Sequence, residues 1–263
     1  MVGNLNLIVF TLTLPKGAVQ VKKIEHYRAA LSELESWDEY LLRESGLPGP
    51  RGNIELAQAV AEEGDLPLFR RYLAYGQDIA PTNSPYEFLA FCGVLGLGRL
   101  IAEGDKELLA DVRRSACDPR WRMREAVAMA LQWFGDRDMK RLIAEMRKWS
   151  AGSLLEKRAA AAALCEPRLL ASPQHAREVL HILDRITTSL LIEKNRKSDE
   201  FTILRKGLGY CWSVAIAALP EEGIRFLEKW LAEQDKDIQW IMRENLKKKR
   251  LTKVLKSDTE TGQ

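Results

Sequence analysis

Histidine and cysteine are scarce in this 263-residue chain, with three of the first and four of the second. Cys92, Cys117, Cys165 and Cys211 lie far apart and form no Cys-x-x-Cys pair, which argues against a zinc knuckle and against a disulfide-dense scaffold. They read as small buried hydrophobes in a reducing compartment. His175 and His181 are not spaced to share one helical face, so no metal is expected. Glycine-rich phosphate loops, a Ser-His-Asp arrangement and a cysteine nucleophile with a histidine partner are also missing, and no cofactor is expected. Long hydrophobic runs are few. The apolar stretch 5–14 is about half of a membrane span and lacks the basic flank and cleavage site of a signal peptide. The expectation from these absences is a cytoplasmic monomer with no membrane partner.

What is present is the composition of a folded protein: 46% apolar and 29% charged residues exclude a disordered or collagenous chain. The net charge of +3 is a cancellation. Residues 1–112 carry roughly −6 and residues 113–263 roughly +9, so the second part is the one suited to a polyanion.

From Val21 onward the apolar spacing is helical, and no stretch alternates as a strand ladder would. The fold class is all-α. Turn chemistry at 46–50 ends a first helix near Ser45, and Gly64-Asp65 separates a helix over 54–63 from one over 66–75. Ser84-Pro85-Tyr86-Glu87 predicts a capped start, with Glu87 closing a capping box, for an apolar helix over 85–103. Gly93, Gly96 and Gly98 predict close approach of neighbours to that helix. Asp118-Pro119 predicts the start of a helix that breaks at Gly135, with a second helix over 137–149. Basic residues then recur at Arg124, Lys157, Arg205 and Arg243, at intervals of roughly 33, 48 and 38 residues, the range of two-helix solenoid repeats. The longer interval holds a polar, basic insertion over 187–200. One hairpin cannot bury its apolar stripe alone, so the expected architecture is an α-α superhelix, a solenoid of HEAT-like helical hairpins. It comprises a disordered N-terminal extension over 1–20, one helical repeat domain over 21–256 and a disordered tail over 257–263.

The segment 118–131, with its Trp-Arg-x-Arg-Glu-Ala wording, resembles a HEAT repeat. Together with Trp149, the Arg-Ala-Ala run at 158–160 and Trp-Ile-Met-Arg-Glu-Asn-Leu at 240–246, it resembles the AlkC/AlkD-like proteins of DNA alkylation repair. The resemblance covers roughly residues 84–252. It implies nucleic-acid binding and an alkylpurine DNA glycosylase activity, with an aromatic residue and a carboxylate one helical turn apart on a concave, DNA-facing surface. Trp121 and Glu125 have that spacing and are the implied catalytic pair: the indole attracts a cationic base or sugar, and the carboxylate stabilises oxocarbenium charge or aligns a water. The family also implies an arginine near the end of the next repeat's helix. Residues 164–168 read Leu-Cys-Glu-Pro-Arg there, which leaves Arg158 or Arg168 for that role.

The candidate nucleic-acid contacts are Arg120, Arg122 and Arg124, then Lys157, Arg158, Arg205 and Arg243 on successive helices, and the cluster Lys247, Lys248, Lys249 and Arg250 beside Trp240. Repeats of this type also use basic positions to bond neighbouring loops, and a first-turn Trp can pack in a hairpin seam. The competing function is a non-catalytic scaffold that takes a protein partner in its groove.

Overall fold

The computed structural model describes residues 18–261, and every element among them is helical. The apolar stretch at 5–14 lies outside the described residues. In chain order the helices are α1 (Ala18–Ser32), α2 (Asp38–Glu44), α3 (Ile54–Glu63), α4 (Leu66–Leu73), α5 (Pro85–Glu103), α6 (Leu109–Ser115) and α7 (Trp121–Trp149). They are followed by α8 (Leu154–Leu164), α9 (Pro173–Leu190), α10 (Asp199–Ala218), α11 (Pro220–Ala232), α12 (Lys236–Leu246) and α13 (Lys249–Thr261).

Two rows result. In the first, α1, α3, α5, the first arm of α7, α8, α10 and α12 each pack on the next. The second row is α4, α6, the second arm of α7, α9 and α11, laid behind the first. Consecutive first-row and second-row helices are hairpins, so the expected stack of helical hairpins is the observed architecture. Trp149 and Trp212, both fully buried, sit between the rows, and the Trp212 Nε1–H donates to Thr187 Oγ1 at 3.1 Å.

Local chemistry sets most boundaries. The side chains of Asn53, Asp65, Ser84 and Ser198 each accept from a backbone N–H of the first turn that follows, and Ser153 with Glu156 forms a complete capping box. Gly104, at φ +128°, ends α5 in a conformation that side-chain-bearing residues rarely adopt. The glycines of α5 mark close packing as expected: a Cβ on Gly98 would lie 2.4 Å from the Ala130 Cα of α7, and one on Gly96 would enter the Phe69 ring of α4. With α3, α4, α6 and α7 around it, this apolar helix is the centre of the core.

Several boundaries differ from expectation. The first helix is two, broken between Ser32 and Asp38. The bend in α7 falls at Asp138 (φ −152°, ψ 82°), and its carboxylate caps the second arm by accepting from the Arg141 N–H at 3.0 Å. Gly135 stays helical, and Leu142 and Leu169 pack where a side chain would be. Glu87 accepts from the Asn83 N–H at 2.7 Å, one residue before the Ser84 cap. Asp118 is not the cap of α7; Arg120 occupies that position. The insertion is shorter than expected, a loop over 191–198, since Thr187 is buried inside α9. At the ends, α1 includes residues 18–20, and α13 continues to Thr261, through most of the stretch expected to be a disordered tail.

Candidate nucleic-acid-facing site

Trp121 is the first residue of α7, where the helix has just emerged from an extended Arg120, and its indole is 37% exposed. Glu125 follows one turn later on the same face. Both line a largely apolar slot whose other walls are Leu47, Arg51 and Gly52 from the α2–α3 loop, Ile54 of α3, Phe88 and Phe91 of α5, and Arg122 and Met129 of α7. The Arg158 guanidinium, from the first half of α8, bonds the Glu125 Oε1 with one nitrogen and the Arg124 carbonyl with another, the latter at 2.9 Å. Of the two arginines the sequence offered, Arg158 is therefore the one beside the carboxylate. Arg168 pairs with Asp136 at 2.9 Å and with Glu166 at 3.1 Å. Trp121, Glu125 and Arg158 thus form one constellation at the mouth of the slot.

The alternating arginines of α7 do not belong to a phosphate-binding surface. Arg120 is buried and saturated by the Asp118 carboxylate and the Tyr75 and Ala80 carbonyls. Arg124 is buried against the Asp118 and Pro119 carbonyls at 2.6 and 2.8 Å; burial lowers its pKa from the usual guanidinium value, and the Arg158 charge adds to this. Arg122 is buried too, pairing with Glu87 at 3.1 Å and donating to the Gly49 carbonyl at 2.7 Å and Asn83 Oδ1 at 3.2 Å. These three fasten neighbouring loops, the second use that basic positions in such repeats have. Arg122 also shapes the slot. It holds the 46–52 loop as a wall, and its guanidinium lies 4.4 Å from the centroid of the Trp121 ring, so one indole face is covered. Glu87 is fully buried, and this burial raises its carboxyl pKa despite the opposing Asn83 N–H and Arg122.

The remaining candidates lie on the first row beyond α7. Lys157 is half-buried on α8. The Arg158 stem passes over Gly207 of α10, and the Trp240 ring of α12 packs over Gly209, so glycine lets side chains from both neighbours lie on α10. Arg205 pairs with Asp237 at 2.6 Å, its guanidinium 4.6 Å from the Trp240 ring centroid. Arg243 is exposed. These contacts make a continuous stripe from Trp121 through Arg158 to Trp240. The C-terminal cluster divides: Lys247 pairs with Glu244 at 2.5 Å, Lys248 and Arg250 lie over the Tyr210 ring, and Lys249 is exposed at the start of α13. Spacing could not identify the apolar slot, the Arg122–Glu87 pair or Lys194, Lys197 and Lys236, because stacking brings them together from distant repeats.

Among the described residues no group of three or more His, Cys, Asp or Glu side chains is placed to hold a metal ion. No family model matches the chain, and no curated protein does. Among solved structures, the X-ray crystal structure of AlkD2 from Streptococcus mutans is similar to it, with a TM-score of 0.55 and 19% identity over 87% of this chain and 98% of that one. The chain has an AlkD-like helical-repeat fold.

Proposed function

We propose that this protein binds DNA along the first-row stripe and releases cationic alkylated purines from it, with Glu125 as the acting carboxylate. The observation that carries the reading is the constellation itself: an exposed indole, a carboxylate and an arginine at the mouth of an apolar slot, continuous with a basic, aromatic surface. An alkylated purine carries positive charge and leaves as a neutral base. The C1′–N bond breaks with its electron pair going to the base, positive charge develops on the sugar, and water adds to C1′ and gives up a proton. Glu125 stabilises the sugar cation and receives that proton. Arg158 orients the carboxylate through Oε1. The uncovered face of Trp121 is the wall for the cationic base. The slot's apolar walls thin out water, which strengthens each of these interactions.

The test is release of methylated purines from alkylated duplex DNA. Glu125→Gln, close to isosteric on a partly exposed side chain, should lower the rate by about 10²-fold or more while leaving DNA affinity nearly unchanged. Equal release by the two proteins removes Glu125 from the mechanism. No release by the wild type, with one stoichiometric protein partner recovered in place of DNA, supports the scaffold.

A further inference from the structure

At the far end of the stripe, the 191–198 loop and α12 enclose a second cleft, open to solvent and lined by six cationic side chains around Trp240. Two of the six are fixed in place. Arg196 bonds Asp235, Asp237 and the Leu190 carbonyl, and Arg205 bonds Asp237. This commits both carboxylates. Lys194, Lys197, Lys236 and Arg243 remain, all exposed, and none has a carboxylate partner among the described residues. Elsewhere the chain pairs its surface cations readily, as second-row helices show in Arg147–Glu178, Arg177–Glu222 and Lys229–Asp184. Four unpaired like charges around one cleft repel one another, and an entering polyanion relieves that repulsion.

The spacing identifies the kind of anion. Lys236 and Arg243 are two turns apart on α12, about 10 Å along its axis, while Lys194 and Lys197 come from the opposite wall. That is too wide for one phosphate group. It suits the backbone of a duplex, whose phosphates advance about 3.4 Å per step along each strand. The cleft also adjoins the stripe through Arg205 and Trp240.

We infer that this cleft is a phosphodiester anchor, gripping the nucleic-acid backbone away from the Glu125 site. The inference rests on the DNA-binding reading above and adds the loop of the longer repeat as the element that holds the strand. Its test is binding of a fluorescent, undamaged duplex, titrated at several salt concentrations, to the wild type, to K194Q/K197Q/K236Q/R243Q and to K106Q/K140Q as a control away from the cleft. In the quadruple variant the slope of log affinity against log salt should fall by about 3 to 4, since each phosphate contact contributes about 0.9. Affinity near 0.1 M salt should fall at least about 100-fold on the same basis. The control should match the wild type.

An unchanged slope in the quadruple variant overturns the anchor and leaves DNA binding elsewhere on the stripe. No binding by the wild type at low salt overturns both. Competition by polyglutamate as effective as that by unlabelled duplex assigns the cleft to an acidic protein and overturns the anchor alone.

Discussion

Arg122 shows how one side chain can belong to both the fold and the site. Its guanidinium joins Glu87 of α5, the Gly49 carbonyl and Asn83 Oδ1, while its flat face covers Trp121. An isolated carboxylate at the Glu87 position would be costly, because nothing there replaces water as fully as a cation does. Arg122→Met should therefore destabilise the protein by about 3–5 kcal/mol in urea unfolding, the usual cost of breaking a buried pair from one side. Adding Glu87→Gln should recover part of this, since no buried charge is then left alone. A single variant within about 1 kcal/mol of wild type would mean that the pair holds nothing. This pair was not legible in the sequence. Thirty-five residues separate the two, and spacing rules reach one helical turn. The same limit explains why Trp121 and Glu125 could be matched as a pair from the sequence while Arg158, on the next helix, stayed one of two candidates.

Between elements, Asp38 at the start of α2 receives both Arg71 nitrogens, at 2.6 and 2.8 Å, and the Tyr72 hydroxyl at 2.8 Å, tying α2 to α4. The Arg71 hydrogen bonds hold its carboxyl below the ordinary 3.8. A carboxylate with a depressed folded pKa contributes stability above its unfolded pKa, and that contribution is lost as pH falls through the folded one. Asp38→Asn should accordingly be less stable than wild type at neutral pH, with the gap closing below pH 3.8, as chemical denaturation across that range would show. A gap that persists into strong acid would separate the effect from ionisation. Element boundaries were legible where capping is local, as at Asp65 and Ser84, because donor and acceptor lie within three residues. The bend of α7 was misplaced for a tertiary reason. Gly135 serves as a site of close packing by Leu142 and Leu169, and the bend falls at Asp138, whose side chain caps the arm beyond.

Across the whole molecule, the basic excess of residues 113–263 is divided between cations paired within the fold and cations left free at the surface. Many cations away from the α12 cleft are paired, as Arg113 is with Glu156 and Arg168 with Asp136. Exposed, unpaired charge gathers between the 191–198 loop and α12, at Lys194, Lys197, Lys236 and Arg243. The hairpin stack was readable from repeat spacing because its period is a property of the chain. Which basic residues remain free was not, since that depends on acceptors supplied by neighbouring repeats. The central claim is that DNA lies along the first-row stripe, and hydroxyl-radical footprinting of tryptophan side chains with and without a methylated duplex tests it most directly. Trp121 and Trp240 should be protected by DNA while Trp37, beside α2, reacts at the same rate in both states. Unchanged oxidation of Trp121 and Trp240 at saturating DNA would contradict the account.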